Sequence, residues 1–113
     1  MPPAAPELSV VIITCNAGAS LERCLASVQS LASEIVIVDS GSTDTTPDIA
    51  ARYHARFIFQ PWLGFGPQKQ FAVDAARFEW ILSLDADEWL TPELSDSIRA
   101  ALTFYIESWW DPS

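Results

Sequence analysis

Asp85, Asp87 and Glu88 lie within four residues, directly after the apolar run Trp80-Ile81-Leu82-Ser83-Leu84. Three carboxylates that close repel one another unless a cation or other charged partner is present. Hard oxygen donors suit Mg²⁺ or Mn²⁺, which commonly join one or two carboxylates to substrate phosphates. The plainer alternative is a solvated acidic turn before a helix N-terminus, where carboxylates are favoured in any case. Asp39-Ser40-Gly41-Ser42-Thr43-Asp44 is a second polar cluster after an apolar run. An Asp at the end of a parallel strand can accept hydrogen bonds from a base or ribose, while Thr43 and Asp44 can equally bond loop amides. Lys69 is the only lysine and falls in the first turn of an expected helix, where the dipole disfavours a cation, so an anion-facing role competes with a surface one. His54 reads as decoration at a helix end.

The elements that must position these groups alternate. Leu8–Thr14 and Glu34–Asp39 are short, β-branched, nearly continuous apolar runs, the pattern of strands buried on both faces. Residues 56–60 and 79–84 are third and fourth strand candidates. Between them, Ser20 can cap a helix whose Leu21, Cys24, Leu25, Val28 and Leu31 form one apolar stripe. Thr46-Pro47 reads as an N-cap with proline at the first helical position, followed by Ile49, Ala50 and Tyr53 on the core side. Residues 61–67 read as a loop punctuated by Gly and Pro, and 68–77 as a helix. Thr91-Pro92-Glu93 opens a last helix through about Leu102. The order βαβαβαβα predicts an α/β fold, a Rossmann-like parallel sheet with helices on both faces. Ligands of such sheets bind beyond the carboxyl ends of the strands, where Thr14, Asn16, Asp39, Asp44, Asp85 and Asp87 all fall. Gly64-Phe65-Gly66 does not match the dinucleotide fingerprint.

The bulk properties bound the function. The 113 residues suit one domain, and 50% hydrophobic residues supply a core. Fifteen acidic against six basic side chains give a net charge of −9, which argues against nucleic acid and against a polybasic membrane patch. No apolar run approaches the roughly 18 to 20 residues that cross a bilayer, and the Pro-rich start lacks the charged n-region of a signal peptide, so a cytoplasmic protein is expected. Cys15 and Cys24 match no metal or disulfide pattern, and both are expected to be buried thiols.

Taken together, the runs LSVVIITCNAGASLERCLASV, EIVIVDSGSTDTT, GFGPQKQFAVDAA and WILSLDADEWLTPEL resemble the nucleotide-binding half of a family 2 glycosyltransferase of the GT-A fold, and among these the bacterial transferases of the lipopolysaccharide inner core. The resemblance spans about residues 8–102 and is specific because four motifs occur in order. It implies that Thr14, Cys15 and Asn16 line a nucleotide pocket, that Asp39 bonds the base, usually uracil, and that Asp44 holds its loop near the ribose. Lys69 stands where the family more often has an arginine facing base and diphosphate, keeping the charge but not the fork geometry. Asp85-Ala86-Asp87 matches the DxD motif. Asp85 would reach ribose and metal, and Asp87 would coordinate the Mn²⁺ or Mg²⁺ that neutralises the leaving diphosphate. Trp89 would wall the sugar pocket, or else serve as a core aromatic.

The implied reaction is inverting transfer of a hexose from a nucleotide sugar, such as a UDP-sugar, to a saccharide or lipopolysaccharide-core acceptor, with the protein cytoplasmic or peripheral at the inner membrane face. The family's carboxylate base lies downstream of the DxD motif, and residues 103–113 form an aromatic-rich tail without family counterpart. A truncated, catalytically impaired chain is therefore expected, or a module that only binds donor and metal. A more distant alternative takes Asp85 in LDADEWLT as the nucleophile of a haloacid-dehalogenase-like phosphatase, although that motif belongs after a first strand. The strand before Asp85 is expected to leave an open edge that favours a homodimer.

Overall fold

A computed structural model describes residues 6–109, with side chains described through residue 103. Four strands, β1 (Leu8–Thr14), β2 (Glu34–Asp39), β3 (Arg56–Phe59) and β4 (Trp80–Asp85), form one parallel sheet in the order β3-β2-β1-β4. The helices are α1 (Leu21–Val28), α2 (Thr46–Arg52), α3 (Phe65–Ala75) and α4 (Pro92–Trp109). The α/β alternation expected from the sequence is the one observed.

Period-two alternation divides the sheet between two cores. Leu8, Val10 and Ile12 of β1, Ile35 and Ile37 of β2 and Leu84 of β4 pack with the buried stripe of α1, with Ile49 and Ala50 of α2 and with Leu102 of α4. Val11, Val36 and Val38 face the other way, onto Ala72 of α3, with Ile13, Phe71 and Ile81 beside them. The central strands are buried on both faces, which is why they read as continuous apolar runs.

The chain turns to β2 and β3 on one side of β1 and returns to β4 on the other, so the strand order reverses between β1 and β4. Register brings the site residues to one rim: Thr14 pairs with Asp39, and Ile13 with Asp85. β4 pairs only with β1 among the described strands and is a sheet edge, as expected.

Several boundaries differ from expectation. Helix α3 starts at Phe65, three residues early, because Pro67 sits in the first turn, where backbone N–H groups have no helical partner to lose. It also stops at Ala75, where Ala76 turns to an extended conformation. The cap of α2 is Thr45 rather than Thr46. Thr46 is fully buried because its hydroxyl donates to Asp44 Oδ1 and accepts from the Ala17 amide. Ser20 occupies the cap position of α1 without a side-chain capping bond. Thr91 does cap α4, accepting from the Leu94 amide at 3.1 Å. That helix continues to Trp109, so the expected tail from residue 103 begins as helix. Its remaining residues, 110–113, lie outside the described ones. Cys24 is buried but Cys15 is exposed, because Cys15 is the first residue past β1, beyond the cover of the helices.

Candidate active site

Two loops leave the sheet at neighbouring positions, and polar side chains stitch them together. After β1 the chain passes through Asn16, whose φ of 52° is the left-handed conformation that Asn tolerates better than most residues. Its Oδ1 accepts from the Thr43 amide at 2.8 Å, and its own amide donates to Ser42 Oγ at 2.7 Å. Asp44 Oδ2 accepts from the Gly18 amide at 2.9 Å, while its Oδ1 accepts from the Thr46 amide and hydroxyl. Hydrogen bonds from Thr46 and Gly18 hold the Asp44 carboxyl below the usual range. Gly18 is required by this closeness. A Cβ there would lie 2.6 Å from Thr45 Oγ1 and 2.8 Å from Asp44 Oδ2.

Asp39 anchors the second loop. Its Oδ1 accepts from Thr14 Oγ1 at 2.7 Å and Ser42 Oγ at 2.5 Å, and its Oδ2 from the Gly41 and Ser42 amides at 2.9 and 2.7 Å. Burial alone would raise its pKa, but the bonds from Ser42, Thr14 and Gly41 outweigh it and hold the carboxyl below its ordinary value. The residue is 2% exposed, and each oxygen already serves two donors. In this arrangement the carboxylate shapes the loop.

On the far side of β1, alternation along β4 turns Ile81, Ser83 and Asp85 toward α3. Lys69 of α3 meets Asp85 there, with Nζ 3.1 Å from Oδ1. Glu88 folds back so that its Oε1 accepts from the Asp85 amide at 2.7 Å, and its own amide donates to Asp85 O, closing a tight turn. Asp87 is exposed at the end of that turn. Beneath it, burial first, then the charges of Glu88 and Asp87, push the Cys24 thiol up to about 11.

Between these loops lies an open cavity of about 640 Å³, walled by Ile13 and Thr14 of β1, Cys15 just past it, Ala17, Ser20, Ser40, and Ala86 and Asp87 just past β4. Trp62 and Phe65 close its remaining side, packed edge to face at 4.9 Å. Gln68, which the sequence reading passed over, sets this aromatic wall. Fully buried, it donates from Nε2 to Gln60 O and accepts at Oε1 from the Leu63 amide, pinning the loop before α3. A polar residue on the buried side of an otherwise apolar helix stripe was the signal available for it. Trp89 lies off the cavity wall, half exposed, with the Arg23 guanidinium 3.5 Å above its ring centroid, a cation–π pair rather than a core position. His54 is exposed at the end of α2 with φ 56°.

Thr14, Cys15 and Asp87 thus share one cavity, Asn16, Asp39 and Asp44 build its loops, and Lys69 and Asp85 pair with each other outside its lining. Among the described residues no three His, Cys, Asp or Glu side chains converge on one point. Asp85 and Asp87, two positions apart and the second on the cavity wall, still match what Mg²⁺ and Mn²⁺ take from proteins, with phosphate oxygens and water completing the shell. LDADEWLT follows the edge strand β4 and not β1, contrary to the arrangement a phosphatase nucleophile requires. Among the described residues no helix is long and apolar enough to cross a membrane.

The family model for Glycosyl transferase family 2 matches residues 9–103. An uncharacterized glycosyltransferase of Rickettsia bellii is 46% identical over 93 residues, covering 82% of this chain and 32% of the relative. The lipopolysaccharide core biosynthesis glycosyltransferase LpsC of Rhizobium meliloti is 43% identical over 100 residues, covering 84% of this chain and 37% of LpsC. Among solved structures, S. aureus TarS 1-349 superposes with a TM-score of 0.71 at 24% identity over 89% of this chain and 32% of its own, a likeness of fold. Glucosyl-3-phosphoglycerate synthase from Mycobacterium tuberculosis, in complex with Mn²⁺, uridine-diphosphate and glucosyl-3-phosphoglycerate, gives 0.63 at 26% identity over 72% of this chain and 33% of its own. The chain spans about a third of the length of the curated relatives it matches.

Proposed function

This chain belongs to glycosyl transferase family 2, and from that premise we propose that its β1/β4 rim binds the nucleoside diphosphate of a nucleotide sugar, a UDP-sugar, together with Mn²⁺ or Mg²⁺. The observation that carries the reading is a cavity joining Thr14 and Cys15 at the end of β1 to Asp87 after β4, at the reversal of strand order where such sheets take their ligands. The similar synthase solved with Mn²⁺ and uridine-diphosphate supports the same choice.

Mechanism follows from the residues present. The wall of Thr14, Cys15 and Trp62 receives the nucleoside, with the hydrogen-bonded pair of loops fixing its shape. Asp39 acts through the Ser40 to Ser42 turn, since a base must displace Ser42 Oγ to reach its carboxylate. Asp85 and Asp87 would hold the divalent ion, which when bound would supply Lewis-acid neutralisation of the departing diphosphate. Lys69 contributes a second positive charge beside it. A chain of net charge −9 holds an anionic donor through these cations.

Residues 1–102 are read as the donor half of the fold. Transfer of a hexose to a saccharide, with the lipopolysaccharide core suggested by the likeness to LpsC, is proposed for a protein of the relatives' full length. The segment itself is read as donor- and metal-binding. Self-association through the β4 edge has only the open edge to support it. Calorimetric titration of UDP in the presence of Mn²⁺ tests the reading: saturable binding that weakens when Mn²⁺ is removed is expected, and no binding refutes it.

A further inference from the structure

Lys69 and Asp85 form a half-exposed ion pair at the carboxyl end of β4: the side chains are 44% and 51% exposed. Such pairs contribute little to folding, since two half-solvated charges gain little by meeting and lose side-chain freedom. The pair is therefore free to exchange partners. Lys69 is the only lysine of the chain, and alternation along β4 turns Asp85 toward its helix rather than toward the apolar core of α1. Its four-carbon stem lets the ammonium move several ångströms without disturbing α3, which is held by Ala72 and by the buried Gln68.

We infer that Lys69 is the exchangeable counter-ion of Asp85: it holds the carboxylate while no ligand is bound, and yields it to a divalent cation as the diphosphate draws the ammonium away. This rests on the nucleotide-sugar reading above. An ammonium and a divalent ion on the same carboxylate repel each other, so the cation binds weakly to the nucleotide-free chain. A diphosphate attracts both, giving each positive charge its own partner. Metal and nucleotide then strengthen one another by the same factor, as reciprocal linkage requires. In this scheme Lys69 acts on the metal through Asp85 before the nucleotide binds and pairs with the diphosphate afterwards.

The test measures Mn²⁺ affinity by the loss of free-ion paramagnetic resonance signal, on the whole 113-residue chain, with and without UDP. In Lys69→Gln, Mn²⁺ should bind the nucleotide-free chain about two- to five-fold more tightly, the scale of one exposed ion pair. The factor by which UDP tightens Mn²⁺ should shrink correspondingly. Lys69→Met, which keeps the aliphatic stem, should behave alike and serves if Gln disturbs α3. The exchange is overturned if the substitution changes Mn²⁺ affinity by equal factors with and without UDP, because Lys69 then acts only as background charge. Failure of the wild-type chain to bind either UDP or Mn²⁺ is a different result, which overturns the nucleotide-sugar reading and the exchange with it.

Discussion

Thr14 and Asp39 stand opposite each other in the β1–β2 register, and Thr14 Oγ1 donates to Asp39 Oδ1 at 2.7 Å. One hydrogen bond thereby ties the ends of the two central strands at the point where both loops of the cavity begin. Two further donors from Ser42 and one from Gly41 converge on the same carboxylate, so its loss affects loop geometry before it affects any ligand.

Asp39→Ala should lower unfolding stability by about 2–4 kcal/mol, because hydrogen bonds to a charged acceptor are strong and the buried Thr14 hydroxyl is left without its acceptor. Urea denaturation checks this. A loss under about 0.5 kcal/mol would mean that the loop is held elsewhere.

The same carboxylate sets an acid dependence. Its folded pKa lies below the ordinary aspartate value, so its contribution is complete above that value and is lost as the pH falls through the lower folded one. Asp44 and Glu34 are shifted in the same direction, Glu34 against its burial by bonds from Ser9 Oγ and the Arg77 amide. Wild-type stability should therefore decline below about pH 4, and Asp39→Asn should flatten part of that decline. Equal slopes in the two proteins would contradict the assignment.

Two glycines should respond with opposite signs. Gly18→Ala places a Cβ against Thr45 Oγ1 and against an Asp44 carboxylate held by three bonds, and should cost about 1–3 kcal/mol while weakening UDP binding. Gly66 lies in the first turn of α3 with nothing within 4 Å of an added Cβ, and Gly66→Ala should be neutral or stabilising by up to about 1 kcal/mol. Thermal melts of both variants decide the matter.

The two thiols should separate chemically. Cys15 is exposed on the cavity wall, whereas burial holds Cys24 protonated up to about pH 11. A disulfide reagent at pH 8 should label Cys15 rapidly and Cys24 only after denaturation, and UDP with Mn²⁺ should protect Cys15. Peptide mass mapping reads the outcome, and labelling of Cys15 at the same rate with ligand present would remove it from the binding wall.

Much of this was legible because the physics was local. Doubly buried strands announce themselves as unbroken apolar runs, and Thr91 before Pro92 marked a helix start correctly. Other features depended on contacts between distant segments. Thr46 looks like a cap, but Ala17, 29 residues earlier, recruits its hydroxyl. Pro67 reads as a loop breaker until its place in the first turn of α3 is known. Cys15 is as apolar in the sequence as Cys24, and only the end of β1 separates them. The Lys69–Asp85 pair required knowing that β4 lies beside β1 and that its odd-numbered residues face α3.

The central claim is that one rim of this sheet takes a nucleoside diphosphate and a divalent ion together. Thermal unfolding with Mn²⁺ and UDP, each alone and combined, tests it most directly. The combination at a hundred times Kd should stabilise the wild type by about 2.7 kcal/mol, a rise of several degrees, exceeding what either ligand does alone. Asp87→Ala should lose the Mn²⁺-dependent part of that rise. A wild-type midpoint unmoved by the combination, or an undiminished rise in Asp87→Ala, would contradict the account.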